Sequence, residues 1–103
     1  MPPEAKVKTA VKRALAAAGV YYFMPAANGY GRAGIPDIIC CVNGYFLAIE
    51  CKAGNGKTTA LQNRELESIE KANGIALVIY DNPEDFRILG DVLTSLQQRS
   101  RHG

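Results

Sequence analysis

Residues 34–52 read GIPDIICCVNGYFLAIECK, and they predict two strands joined by a tight turn. Asn43-Gly44 lies between two β-branched and aromatic runs, the strongest short-range signal for a two-residue hairpin. Such a turn pairs Val42 with Tyr45, and stepping outward from there sets Asp37 opposite Glu50. Directly opposed side chains lie ~5 Å apart at Cβ, and like charges so placed destabilise a sheet. At an effective dielectric of about 20, the repulsion is roughly 3 kcal/mol. A cation held between the two carboxylates would remove it. Lys52, two residues beyond Glu50, points to the same face of the strand. Two acids and one amine therefore converge at the open end of a hairpin, which is the geometry of a metal site.

Pro36-Asp37, followed by Glu50-Cys51-Lys52, resembles the signature of the PD-(D/E)xK nucleases. The longer pattern adds Asn28-Gly29, Gly34 ahead of Pro36, and Gln62. It is similar to that of the virus-type replication-repair nuclease (VRR-Nuc) domain, in its stand-alone viral and phage form, and spans nearly the whole chain. Glu-x-Lys by itself is weak, because a charged pair also protects an edge strand. Its combination with Pro-Asp, the hairpin register and the glutamine is far more specific. The resemblance implies an α/β, restriction-endonuclease-like core, a small mixed β-sheet flanked by helices in the order αβββαβ. It also implies a Mg²⁺-dependent DNA endonuclease, with Mn²⁺ as a substitute, acting as a homodimer on branched DNA such as four-way junctions.

Composition sets the outer limits. A chain of 103 residues, 48% hydrophobic and 21% charged, suits one globular domain over residues 1–103 and excludes disorder. No apolar run approaches the ~20 residues of a membrane span, and Met1-Pro2-Pro3-Glu4 does not open a signal peptide. The expectation is a cytoplasmic protein, in the host cell if viral, with no membrane partner. Three cysteines and one histidine make neither a disulfide framework nor a zinc set. Cys40 and Cys41, adjacent on a strand, face opposite sides. Net charge is only +2, but residues 1–34 carry +4 and the remainder −2. A basic half beside a carboxylate pocket suits a phosphodiester substrate; a solvated helix face gives a similar count.

In chain order, residues 4–18 predict a helix, with Val7, Val11, Leu15 and Ala18 at helical spacing and Gly19 as its stop. Glu4 falls on that inward stripe, whereas Lys6, Lys12 and Arg13 lie off it. Glu4 either compensates the helix dipole or reaches the metal, and the resemblance implies a helix-one Glu near the site. Residues 20–24 form a strand by composition. The following loop contains Gly29, Gly31 and Gly34, the dinucleotide-binding G-x-G-x-x-G. That motif requires a helix next, and a β-rich run follows instead. Asn28, Tyr30 and Arg32 are placed to contact a nucleic-acid backbone.

Gly56-Lys57-Thr58 looks like the end of a phosphate-binding P-loop, but the glycine needed five residues before Gly56 is Cys51. A P-loop nucleotide-binding protein and a non-catalytic DNA-binding module, using the basic helix and Gly-rich loop, are the alternative readings. Residues 59–73 predict a helix closed by Gly74. Thr59 and Gln62 have capping-box spacing, while Gln62 also shares the inward face of Leu66 and Ile69. The resemblance gives Gln62 an active-site role, and a side chain folded onto its own cap is expected to fill both roles only in part. Residues 75–80 predict a buried, parallel strand. Beyond Asn82-Pro83, Leu89, Val92, Leu93 and Leu96 predict a short amphipathic helix, with residues 97–103 frayed.

The resulting candidates divide by role. Asp37, Glu50, Lys52 and Gln62 form the catalytic set. Asp37, Glu50, the Cys51 backbone carbonyl and Glu4 are the candidate metal ligands, with Glu4 on a second ion or a water. Lys6, Lys12, Arg13, Asn28, Tyr30, Arg32 and Lys57 are the candidate DNA contacts. Magnesium takes six oxygens at ~2.1 Å and retains waters, so one or two carboxylates suffice. Lys52, between carboxylates, remains charged and acts electrostatically rather than as a base.

Overall fold

The computed structural model describes residues 2–26 and 32–100. Its elements are α1 (Pro3–Ala17), β1 (Tyr21–Phe23), β2 (Ile38–Val42), β3 (Tyr45–Cys51), α2 (Ala60–Lys71), β4 (Ile75–Ile79) and α3 (Pro83–Gln98). The order αβββαβ with a C-terminal helix is the one expected. The sheet runs β1-β2-β3-β4, with β1, β2 and β3 antiparallel and β4 parallel to β3.

Asn43 and Gly44 both adopt positive φ, 52° and 86°, the two-residue turn whose twist matches the flanking strands. Val42 pairs with Tyr45 and Ile38 with Ile49, so the register carries Asp37 to the level of Glu50 as predicted. Side-chain alternation then splits the sheet into two faces. Ile38, Cys40, Val42, Leu47, Ile49, Cys51 and Ile79 pack with Val7, Val11 and Leu15 of α1 and Leu89, Leu93 and Leu96 of α3. This is the core. The opposite face carries Phe46 and Glu50 on β3, with α2 laid over part of it.

Three expectations need correction. β4 is an edge strand, and four of its five residues are only half-buried; its apolar run reflects two partly covered faces rather than a central position. α3 is long, not short. Asn82 caps it by accepting from the Asp85 amide, and Pro83 fills its first turn, where proline's missing N–H is no loss. Gln97 and Gln98 belong to it, and Gln97 Nε2 donates to the Ala18 carbonyl at 2.8 Å. Only residues 101–103 of the expected frayed tail lie outside the described residues. Finally, Asn73 rather than Gly74 takes the left-handed position after α2, at φ 71°. Gly74 serves packing instead, since a Cβ there would lie 2.7 Å from Ile69 Cγ2 and 3.2 Å from Phe46 Cδ1.

Candidate active site and metal centre

Each element delivers one part of the site. The hairpin register places Asp37 at the entry to β2 beside the end of β3, and the Cys51 amide N–H donates to Asp37 Oδ2 at 2.8 Å. Glu50 is 2% exposed. The first turn of α1 contributes Glu4. One carboxylate oxygen from each of Glu4, Asp37 and Glu50 lies within 4.8 Å of the other two. Glu4 therefore joins the same cluster as Asp37 and Glu50.

Two lysines answer these three acids. Lys52 Nζ stands 3.6 Å from Glu50 Oε2, and Lys8 Nζ stands 3.5 Å from Asp37 Oδ1. The amine expected on the hairpin face is in place. Lys8 was not among the sequence candidates, although its position four residues after Glu4 puts both on one helix face.

Gln62 overturns the expectation of a divided role. Its Oε1 accepts from the Thr59 amide while its backbone N–H donates to Thr59 Oγ1, completing the capping box. Its Nε2 simultaneously donates to Glu50 Oε2 at 2.8 Å. A carboxamide has an acceptor end and a donor end, so one side chain caps α2 and holds Glu50 without compromise.

Glu50 Oε2 thus has both Lys52 and Gln62. Among the described residues, Glu50 Oε1 is the buried side-chain oxygen or nitrogen without a hydrogen-bond partner. Burial first, then repulsion from Asp37, pushes the Glu50 carboxyl up to about 7, with Lys52 pulling the other way. A buried carboxylate oxygen without a partner, on a residue clustered with two more acids, suits the donor set of a hard divalent cation. The residues fit such an ion. The Cys51 thiol is pushed up to about 12 by burial and by Asp37 and Glu50, so it stays an inert packing group. Only its backbone lies at the site.

The segment before Asp37 is clamped to α2. Arg32 makes a bidentate pair with Glu65, Nε to Oε2 at 2.7 Å and Nη2 to Oε1 at 3.0 Å. Its guanidinium, expected to contact DNA, is committed to that carboxylate although the side chain is largely exposed. Gly34, at φ +88°, passes so close to α2 that a Cβ would lie 2.5 Å from the Leu61 carbonyl oxygen. Lys6, Arg13 and Lys57 are exposed and Lys12 half-buried. Asn28 and Tyr30 lie outside the described residues, as do Gly29 and Gly31. In the segment resembling a P-loop, the Gly56 carbonyl accepts from the Tyr80 hydroxyl and the Thr58 hydroxyl donates to Asn63 Oδ1. These bonds tie the segment to the end of β4 and to α2. Among the described residues no helix is long and apolar enough to cross a membrane.

Comparison with known proteins agrees with this fold. A family model described as archaeal Holliday junction resolvase (Hjc) matches residues 7–79. Among solved structures, a VRR_NUC domain protein superposes with a TM-score of 0.72 at 22% identity, over 95% of this chain and 93% of the other. No curated protein matches significantly. The chain belongs to the archaeal Holliday junction resolvase family and has the VRR-Nuc form of the PD-(D/E)xK nuclease fold.

Proposed function

We propose that this protein is a DNA endonuclease, dependent on Mg²⁺ with Mn²⁺ as a substitute, that hydrolyses phosphodiester bonds in branched DNA such as four-way junctions. The observation that carries the reading is the unpartnered Oε1 of buried Glu50, which clusters with half-buried Glu4 and Asp37. Asp37, Glu50 and Glu4 would hold the cation. Such an ion, when bound, supplies Lewis-acid polarisation of a phosphoryl oxygen and a more acidic water.

The chain's own groups do the rest. Gln62 and Lys52 both grip Glu50 Oε2, which fixes the carboxylate's rotation and leaves Oε1 without a partner. The Cys51 amide does the same for Asp37 through Oδ2. Lys52, only 10% exposed along its side chain, is held where it can offset negative charge on a reacting phosphate. Lys6, Lys12, Arg13 and Lys57 are the groups for backbone phosphates, which supply affinity without reading sequence.

Pairing of two chains fits the sheet. Tyr21, Phe23 and Phe46 are 68, 48 and 46% exposed, and the register puts all three on one face with Ile39 and Cys41. Covering such an apolar face in a dimer would remove it from water and set two sites for paired nicks. Light scattering should give twice the chain mass; a monomer at assay concentration would contradict the pairing.

The activity is tested on linear, flapped and four-way-junction DNA with Mg²⁺, Mn²⁺ or EDTA. Metal-dependent cutting that favours the junction is expected. Failure to cut any of them, with folded protein and metal present, would reject the nuclease in favour of a binding module.

A further inference from the structure

Resting on the metal-site reading above, we infer that Lys8 is the resident counter-ion of the carboxylate cluster and must leave Asp37 for a divalent cation to bind. Three carboxylates within 4.8 Å of one another are met by two ammonium groups, one on Asp37 and one on Glu50. The two differ in freedom. The Lys52 side chain is 10% exposed and boxed in, whereas that of Lys8 is 31% exposed on the surface of α1.

Asp37 Oδ2 already accepts the Cys51 amide, and Lys8 sits at Oδ1. A divalent cation drawing on Asp37 would therefore lie within a few ångströms of a like charge in a half-buried site, where screening is weak. One of the two must move. Lys8, on a four-carbon stem open to solvent, is the group that can. Its displacement keeps the cluster's charge compensated in both states, by lysine before the cation arrives and by the cation afterwards. The released ammonium then stands one helical turn from Lys12, beside a bound phosphate backbone.

Lys8 thus acts with opposite sign on two measurable quantities, stabilising the metal-free fold and weakening the cation. Calorimetric titration with Mg²⁺ and with Mn²⁺, without DNA, would compare wild type, Lys8→Met, Lys8→Gln, Lys8→Arg and Asp37→Asn. Thermal unfolding in EDTA accompanies each. Removing the charge should tighten cation binding about three- to tenfold and lower the melting temperature in EDTA, while Lys8→Arg behaves as wild type. Using both Lys8→Met and Lys8→Gln guards against one of them failing to fold. Equal or weaker binding in the neutral variants, with wild-type binding lost in Asp37→Asn, overturns the role of Lys8 and leaves the metal site standing. If none of the Lys8 variants nor the wild type binds either ion, the metal site itself fails and the inference falls with it.

Discussion

Glu50 shows how one carboxylate is divided between structure and chemistry. Its Oε2 is fixed by Lys52 and Gln62, while Oε1 has no partner. The carboxyl is raised from 4.5 to about 7, first by burial and then by Asp37. The folded protein therefore keeps a proton that the unfolded chain has released between those values. By linkage, this group's stabilisation is complete below pH 4.5 and is lost as pH rises toward 7. In EDTA, melting temperatures across that window should fall with pH for wild type and fall less for Glu50→Gln. Identical slopes would show that Glu50 does not titrate there. Lys52→Ala should slow cleavage by about a hundredfold or more while leaving cation binding in place, because lysine is not a ligand; lost metal affinity in calorimetry would contradict its electrostatic role.

The site exists because separate elements are locked together at their ends. Gly34 abuts the first turn of α2 and Arg32 clamps Glu65, so the approach to Asp37 and the helix bearing Gln62 move as a unit. Gly34→Ala would force a Cβ against the Leu61 carbonyl and a side chain into positive φ. It should destabilise the fold by about 2 kcal/mol or more and slow cleavage by shifting Gln62 from Glu50. Wild-type stability in denaturant melts would show that the contact relaxes freely. At this scale the sequence was most legible. The Asn43-Gly44 turn fixes strand register, and register alone dictates that Asp37 and Glu50 meet. The α1 stripe of Val7, Val11 and Leu15 likewise dictates which way Glu4 points. Less legible were features that depend on contact between distant segments. Asn43 Nδ2 donates to the Leu96 and Arg99 carbonyls at the end of α3, and no local pattern announces that a hairpin turn will cap a helix fifty residues away. The Arg32–Glu65 clamp is of the same kind. Lys8 was hidden for another reason: a lysine beside an apolar stripe reads as a solvated helix face until Asp37 is brought to it.

At the scale of the whole molecule, α1 and α3 bury one face of the sheet, while α2 leaves part of the other face bare. The half-buried β4 edge follows from that arrangement, since a five-residue apolar strand reads alike at the centre or the rim of a sheet. The same arrangement gathers Glu4, Asp37 and Glu50, from helix, loop and strand, into one cluster at the end of the hairpin. All the proposed chemistry depends on that cluster. Its most direct test is single-turnover cleavage of a four-way junction in Mg²⁺ by wild type and Asp37→Asn, with circular dichroism to verify that both are folded. The expected result is cutting by wild type that EDTA abolishes, and a rate at least about a hundredfold lower in the variant. An unchanged rate in folded Asp37→Asn would contradict the assignment of the carboxylate cluster as the catalytic metal centre.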